Sequence, residues 1–251
     1  MSLLEVTDLR RTFGELVAVD GASFAVERGE LVGMIGPNGA GKTTTFNCVS
    51  GVLPPDSGRV SLDGDDVTGV PPYELARRGV VRTFQQTREL TTMTVESNVL
   101  LATPDHPGER AHHAVLRTDA SHERERAATE RATELLELFE LETMREAYAS
   151  SLSGGQRKLL ELARALMLDP DLLLLDEPFA GVNPTLTNEI ADHIRSLNAE
   201  GLTVLIIEHE LETLTDLVDR LVVLADGDVL ATGTPEEVMA NQRVVDAYLG
   251  G

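Results

Sequence analysis

The sequence predicts an α/β fold with a mostly parallel sheet, an N-terminal antiparallel β region and an inserted α-helical subdomain. Short apolar runs separated by turns occupy the first 35 residues, which favours the antiparallel region. Two continuous apolar runs, DLLLLDEP at 171–178 and LTVLIIEHE at 202–210, are typical of parallel strands buried on both faces. Between about 94 and 150 the chain is charged and alanine-rich, with apolar residues at helical spacing, which indicates the inserted helices.

The first elements follow from their turn signals. The runs LLEVTDL, SFAVERGE and LVGMIG are predicted strands, and a helix from Lys42 to Val49 follows the third of them. The segment GRVSLDGDDV predicts a strand pair that turns at Gly64. Residues 71–79 predict a short helix, because two prolines stand at its start.

The chain is interpreted as one domain, residues 1–251, built from an α/β core at 1–86 and 160–251 and a helical subdomain at 87–159. Within the subdomain the polar segment 104–113 predicts a loop. Four apolar residues there recur at helical spacing: Leu135, Leu138, Phe139 and Met144.

Three further elements are predicted, one between the two buried strands and two after them. TNEIADHIRSLNAEG predicts a helix that ends at Gly201, and DRLVVLADGDVLATG predicts a hairpin around Asp226-Gly227. A last helix is predicted from Thr234, because a proline and two glutamates follow it in the first turn.

The composition excludes several classes of protein. The chain has 42 acidic and 21 basic residues, and the resulting net charge of -21 disfavours general binding to nucleic acid. Its single cysteine, Cys48, cannot form an internal disulfide. No apolar run approaches the ~20 residues of a membrane span, and the N-terminus lacks the pattern of a secretory signal. A cytosolic location is therefore expected.

The excess of acid predicts adaptation to a high internal salt concentration. Salt screens the repulsion among carboxylates, so we expect the midpoint of thermal unfolding to rise from dilute buffer to molar KCl. The alternative is an acidic protein without such adaptation. A midpoint that stays constant or falls as KCl is added would favour that alternative.

A glycine-rich segment lies between an apolar strand and a predicted helix. It fits the phosphate-binding pattern G-x-x-x-x-G-K-[ST], whose main-chain N–H groups and helix N-terminus hold an anion. Lys42 can reach the β- and γ-phosphates of a nucleoside triphosphate, and the Thr43 hydroxyl can ligate Mg²⁺. A turn that binds nothing is the alternative, but it does not account for the strand and helix on either side. The segment comprises Gly36, Pro37, Asn38, Gly39, Ala40, Gly41, Lys42 and Thr43.

Acidic residues at the end of a buried strand extend this site towards hydrolysis. Asp176 is expected to hold Mg²⁺ beside the loop, and Glu177 to act as general base on a water in line with the γ-phosphate. His209 follows the next buried strand and is expected at the same sheet edge, where it can contact the γ-phosphate or orient the water. The alternative for Asp176 and Glu177 is that two acids merely stand where the strand leaves the core for solvent. The alternative for His209 is a structural histidine without a catalytic role.

The other histidines of the helical insert give a different prediction. They lie in or near a polar segment without the cysteine or carboxylate spacing of a metal site, so they are expected to be solvated. These residues are His106, His112, His113 and His122.

A second helix start suited to an anion occurs in SLSGGQRK. Ser153 is a favourable N-cap, and Gly154 and Gly155 keep the main chain accessible. One chain thus carries two half-sites for phosphate.

The segments GPNGAGKTT, LSGGQ, LLLLDEP and IIEHE, in this order, resemble the nucleotide-binding subunits of ABC transporters. The resemblance covers nearly the whole chain, and LSGGQ is that family's signature. It implies an ATPase that uses ATP and Mg²⁺ and packs head to tail with a second subunit. The signature of one subunit then closes over the ATP in the loop of the other. The resemblance adds Thr44, Ser153, Gly154, Gly155 and Gln156 to the nucleotide contacts.

The same resemblance assigns two further residues. Phe13 in RRTFG corresponds to the aromatic residue that stacks on adenine; an ordinary core phenylalanine is the alternative. Gln85 in VRTFQQ matches a glutamine that touches Mg²⁺ and the attacking water, and residues 86–100 would receive a helix of the membrane subunit. Asn183 stands where the family usually has an aspartate.

A narrower resemblance is to the ATPase subunits of branched-chain amino-acid importers, through GPNGAGKTTTFNC, RTFQ, AGVNP, IEHE and AYLGG. In that group an asparagine at the position of Asn183 is usual. The resemblance implies transmembrane permeases, a second ATPase of the same or a related kind, an extracellular solute-binding protein and a peripheral location at the cytoplasmic face of the membrane. Transport of urea, amides or other amino acids, and export, are the alternatives.

Two other classes of function remain as alternatives. A non-transport ABC protein acting on ribosomes or DNA usually has two such domains or a long coiled-coil insertion, and this chain has neither. A module that binds nucleotide without turnover is opposed by Glu177 and His209, since both belong to the chemistry.

Overall fold

The computed structural model describes residues 2–83, 90–104, 119–208 and 211–249. Its residues form two compact units: Met1–Arg82 with Asp171–Gly251, and Thr83–Pro170. The second unit extends beyond residue 159, because helix α5, Gly154–Leu166, continues without a break through that position.

A six-stranded sheet forms the centre of the first unit. Its order is β10-β9-β3-β8-β7-β6, and all neighbouring strands are parallel except the last hairpin pair, β9 and β10. β3, β7 and β8 are buried at every position, as their continuous apolar sequences predict. The predicted buried strands and the hairpin at Asp226-Gly227 are therefore confirmed. The strands are β3 (Leu31–Ile35), β6 (Val80–Arg82), β7 (Leu172–Asp176), β8 (Thr203–Ile207), β9 (Arg220–Ala225) and β10 (Asp228–Gly233).

An antiparallel sheet in the order β2-β1-β4-β5 completes the first unit. β1 (Ser2–Phe13) and β2 (Leu16–Glu27) are longer than the predicted runs. They continue past polar residues because bulges interrupt their register and re-aim the side chains. The predicted pair around Gly64 is confirmed as β4 (Ser57–Leu62) and β5 (Asp65–Asp66).

Six helices among the described residues accompany these sheets. Asn183 and Thr234 cap the helices that follow them, each accepting a hydrogen bond from a main-chain N–H in the first turn. The predicted last helix ends at Met239, and a separate helix follows it, which the sequence analysis did not distinguish. The helices are α1 (Lys42–Val49), α2 (Pro72–Arg77), α6 (Pro184–Ala199), α7 (Leu211–Leu217), α8 (Pro235–Met239) and α9 (Gln242–Leu249).

The second unit is helical, as predicted. It contains α3 (Val95–Leu100), α4 (Asp119–Leu138), α5 and two short 3₁₀ helices, Glu142–Met144 and Ala149–Ser151. Most of the segment predicted as a loop, 105–113, lies outside the described residues. Within the described ranges, no helix combines the length and apolar character needed to cross a bilayer.

Two of the four apolar residues predicted at helical spacing, Leu138 and Met144, lie outside the buried face of α4. Met144 belongs to the 3₁₀ helix Glu142–Met144, which has no buried residue. Leu135 and Phe139 are buried as expected, but Leu138 is 37% exposed and Leu136 is 1% exposed. The reason is geometric, because residues 132, 135, 136 and 139 share one helical face and position 138 falls outside it.

Candidate functional site

The ends of three parallel strands define one edge of the six-stranded sheet. Ile207 of β8 is in register with Met34 of β3 on one side and with Asp176 of β7 on the other. Because these strands are parallel, their carboxyl ends meet at the same edge, where ligands bind in open α/β sheets. The glycine-rich loop, the Asp176-Glu177 pair and the segment after β8 therefore begin side by side.

Two glycines are required by the path of the loop. A Cβ on Gly36 would lie 2.2 Å from the Leu224 carbonyl oxygen, and one on Gly41 would lie 2.3 Å from the Ala18 carbonyl oxygen. Gly41 also has a φ of +94°, which side chains rarely allow. The loop can pass this close to β9 and β2 only without side chains at these positions, and α1 begins directly after Gly41.

Lys42 is buried inside the loop that it follows. Its Nζ donates to the carbonyl oxygens of Gly36 at 2.6 Å and Pro37 at 3.0 Å. Burial lowers the pKa of Lys42, and the charge of Glu177 opposes that change. The ammonium group is therefore held at the loop and is electrostatically coupled to the acid at the end of β7.

The two acids at the end of β7 differ in environment: Asp176 is its last residue, and Glu177 follows it. The side chain of Asp176 is 3% exposed and forms an ion pair with Arg82. Glu177 has a φ of +50°, and its N–H donates to the Ile207 carbonyl oxygen at 2.9 Å. This left-handed residue turns the chain out of the sheet, so that adjacent acids leave the strand in different directions.

Two charged residues with little exposed side-chain surface, near these acids, were not identified from the sequence. Glu208 is 3% exposed, and its Oε1 accepts a hydrogen bond from the Phe179 N–H at 2.8 Å. This bond fixes the turn after Glu177 to the end of β8. Arg82, at the end of β6, is the other. The available signal was their position at strand ends in otherwise apolar sequence.

A groove of about 310 Å³ adjoins the loop. Phe13 lines it and is 47% exposed, so the alternative of a core phenylalanine is wrong. The Arg11 guanidinium lies 5.2 Å from the centre of the Phe13 ring, and Asp56 accepts hydrogen bonds from Arg11 and from the main chain and hydroxyl of Thr12. These contacts hold the ring in place. The groove is also lined by Leu16, Val17, Ala18, Asn38, Gly39, Ala40, Gly41, Lys42, Thr43 and Thr44.

The C-terminal helix reaches the start of the loop. Burial raises the pKa of the Tyr248 hydroxyl to about 12, while a hydrogen bond with the main chain of Gly36 opposes that rise. Tyr248 of α9 therefore lies next to the first residue of the phosphate loop.

In the second unit, the LSGGQ segment forms a helix start of its own. The Ser153 hydroxyl accepts from the Gln156 N–H at 3.2 Å, and Gln156 Oε1 accepts from the Ser153 N–H at 2.9 Å. Ser153 and Gly154 are exposed, and Gly155 is half-buried. A Cβ at Gly154 would meet no atom within 4 Å, so the turn leaves open space in front of α5.

Two predicted catalytic residues, Gln85 and His209, lie outside the described residues, as do His106, His112 and His113. His122 is described, and its side chain is 60% exposed, 3.9 Å from Glu125. Its predicted solvation is confirmed. Of the residues described, none form a cluster of three or more histidine, cysteine or carboxylate side chains suited to a metal ion.

Comparison with known proteins identifies relatives along the whole chain. Residues 19–180 match the family model of ABC transporters, and residues 229–251 match that of the branched-chain amino acid ATP-binding cassette transporter. The high-affinity branched-chain amino acid transport ATP-binding protein BraF of Pseudomonas aeruginosa is 43% identical over 249 residues, which is 99% of this chain and 98% of the relative.

Solved structures give the same relation. An ATP-binding cassette of an ABC transporter in its ADP conformation superposes with a TM-score of 0.86 at 37% identity, over 100% of both chains. A dimeric ATP-binding cassette in a post-hydrolysis state, bound to ADP and phosphate, gives a TM-score of 0.75 at 25% identity, over 92% of this chain and 98% of that one.

Proposed function

The chain belongs to the ABC transporter family, and from this we propose that it is the ATP-hydrolysing subunit of an importer for branched-chain amino acids. The observation that carries the proposal is the single sheet edge at which the Lys42 loop and the Asp176-Glu177 pair meet. The match of residues 229–251 to the branched-chain cassette model supports the solute class. We propose one nucleotide-binding domain, residues 1–251, in which the first compact unit is the catalytic core and the second, Thr83–Pro170, is the signature subdomain.

The glycine-rich loop binds the phosphates of ATP. Main-chain N–H groups of residues 36–43 and the start of α1 offer donors and a positive helix end to the phosphates. Lys42 is already desolvated there, so its charge acts in a medium of low dielectric constant when it turns from the loop carbonyls to the phosphates. Phe13 offers its exposed ring to adenine in the adjoining groove.

The residues at the edge fit Mg²⁺. The Thr43 hydroxyl, exposed at the start of α1, and the buried Asp176 carboxylate are the hard oxygen ligands that this ion prefers. Gln85 would be the third protein ligand of Mg²⁺. When bound, the ion neutralises charge on the β- and γ-phosphates.

Glu177 takes the role of general base. The hydrogen bonds of its turn to Ile207 and, through Phe179, to Glu208 hold its main chain at the sheet edge. The carboxylate accepts a proton from the attacking water, and His209 and Gln85 orient the water and the γ-phosphate.

A second ATPase subunit, identical or related, completes the site. The exposed Ser153 turn offers main-chain donors and a hydroxyl to the γ-phosphate held by the partner, so ATP binding closes the dimer and hydrolysis reopens it. Gly154, Gly155 and Gln156 belong to the same contact. This motion drives the transmembrane permeases.

We place the chain at the cytoplasmic face of the cell membrane as a peripheral subunit. Its partners are the permeases and, through them, an extracellular solute-binding protein. Nucleic acid is not a partner, because the net charge of -21 repels phosphate backbones.

The proposal is tested in liposomes that contain the chain together with transmembrane permeases and a second ATPase of an importer from the same organism. We expect ATP hydrolysis to rise when the binding protein is added with leucine, isoleucine or valine, together with uptake of the labelled amino acid. Liposomes without the permeases are the control. Stimulation by urea or amides instead would shift the assignment to a related importer, and recovery of the chain with ribosomes would contradict the transport function.

A further inference from the structure

Arg82 is the last residue of β6 and stands next to β7, in register with Leu174. Its side chain is 11% exposed, and its Nη2 lies 2.7 Å from Oδ2 of Asp176. A guanidinium group so far from water requires several partners, because burial of an incompletely paired charge is costly.

Those partners lie on the helix that follows the phosphate loop. Arg82 Nη1 donates to Asn47 Oδ1 at 2.7 Å and to Ser50 Oγ at 2.7 Å. Asn47 is in α1 and Ser50 follows its last residue. The guanidinium carbon also lies 4.9 Å from the centre of the Phe46 ring, on the same helix.

The planar fork of Arg82 thus joins two elements that carry the proposed Mg²⁺ ligands. One nitrogen binds the acid at the end of β7, and the other binds α1, whose first turn contains Thr43. Because the bond to Arg82 engages Oδ2, the rotation of the Asp176 carboxylate is restricted. Lysine could not reproduce this arrangement, since it lacks two divergent donor nitrogens in one plane.

We propose that Arg82 is a positioning residue for Mg²⁺–ATP: it fixes the Asp176 carboxylate relative to α1 and thereby sets the geometry of the cation site. This inference rests on the proposed function. Arg82 touches neither nucleotide nor ion in this role and acts through Asp176. Outer partners that orient a metal ligand typically change metal affinity by about 10- to 100-fold.

The test measures binding of a fluorescent ATP analogue to the purified chain in Mg²⁺ and in EDTA. The ratio of the two dissociation constants isolates the contribution of the cation. For Arg82→Lys, which keeps the charge, we expect this contribution to fall about tenfold while the dissociation constant in EDTA stays unchanged. Ser50→Ala removes only one partner of Arg82 and is expected to lower the contribution of the cation by a smaller factor. It can be measured in place of Arg82→Lys if that variant does not fold.

Two further variants separate positioning from general stability. In an Asp176→Asn background, Arg82→Lys is expected to cause no additional loss, because its effect passes through that carboxylate. Arg220→Lys is the matched control. Arg220 is the first residue of β9, at the end of the sheet away from the phosphate loop, and it pairs with Glu30 at 2.6 Å. It is expected to lower the unfolding midpoint without changing the contribution of the cation.

The outcomes distinguish the inference from the function on which it rests. An unchanged contribution of Mg²⁺ in both Arg82→Lys and Ser50→Ala, with only a lower unfolding midpoint, would overturn the role of Arg82. If Asp176→Asn itself left the contribution of Mg²⁺ intact, the assignment of Asp176 in the proposed function would be wrong instead.

Discussion

Glu177→Gln is expected to stop ATP turnover while ATP binding and subunit association persist. Glutamine has the size and hydrogen-bonding reach of glutamate but cannot accept the proton of the attacking water. Loss of a positioned general base typically costs 10²–10⁴-fold in rate, which we estimate as roughly the effect here. Two hydrogen bonds hold the turn that carries the residue: Glu177 N–H donates to the Ile207 carbonyl oxygen, and Phe179 N–H donates to the Glu208 carboxylate. Neither requires the carboxylate of Glu177.

The measurement combines phosphate release with size-exclusion chromatography in ATP and Mg²⁺. The variant is expected to elute as a dimer with ATP, because in the proposed mechanism ATP joins the two subunits and is no longer consumed. Glu200→Gln, at the exposed end of α6, is the matched control and should hydrolyse ATP as the unaltered chain does. A monomeric profile for Glu177→Gln in ATP, or retained turnover, would contradict the assigned base and the closure of the dimer by ATP.

Lys42→Ala is expected to weaken ATP binding itself. Charge-assisted hydrogen bonds contribute about 1.5–3 kcal/mol, which corresponds to a loss of affinity of roughly 10- to 100-fold. The variant also leaves the carbonyl oxygens of Gly36 and Pro37 without the donor that holds the loop together. The dissociation constant of the ATP analogue measures the effect, and the unfolding midpoint shows whether the fold is intact.

Lys158→Ala provides the control for Lys42→Ala, because it removes the chain's other lysine at a position outside the phosphate loop. Its affinity for ATP as a separate chain is expected to be unchanged. Equal losses in the two variants would mean that positive charge in general, rather than the placement of Lys42, determines affinity.

Local sequence patterns were sufficient for the parts of the fold and site that depend on short-range rules. The loop from Gly36 to Thr43 follows from the requirement for bare main chain before a helix, and β7 and β8 follow from continuous apolar runs. The cap of α5 by Ser153 likewise follows from residues within one turn.

The features that could not be predicted depend on partners distant in sequence. Arg82 and Asp176 are separated by 94 positions, and the position of Arg82 at a strand end does not indicate which residue it pairs with. Glu208 binds a main-chain group 29 positions away, at the turn after Glu177. The burial of Leu136 rather than Leu138 has a more local cause. The apolar residues of α4 are compatible with two adjacent helical faces, and packing decides which of the two is buried.

The Ser153 hydroxyl group caps α5 as an acceptor and still has a hydrogen to donate. A hydroxyl oxygen has two lone pairs and one hydrogen, and the bond from Gln156 uses only acceptor capacity. The hydroxyl hydrogen can still be donated to an anion while the oxygen continues to accept the capping hydrogen bond from the Gln156 N–H. In the proposed dimer, binding of the partner's γ-phosphate at this turn would therefore need no rearrangement of the scaffold. An alanine at position 153 would remove both the cap of the helix and the hydroxyl donor.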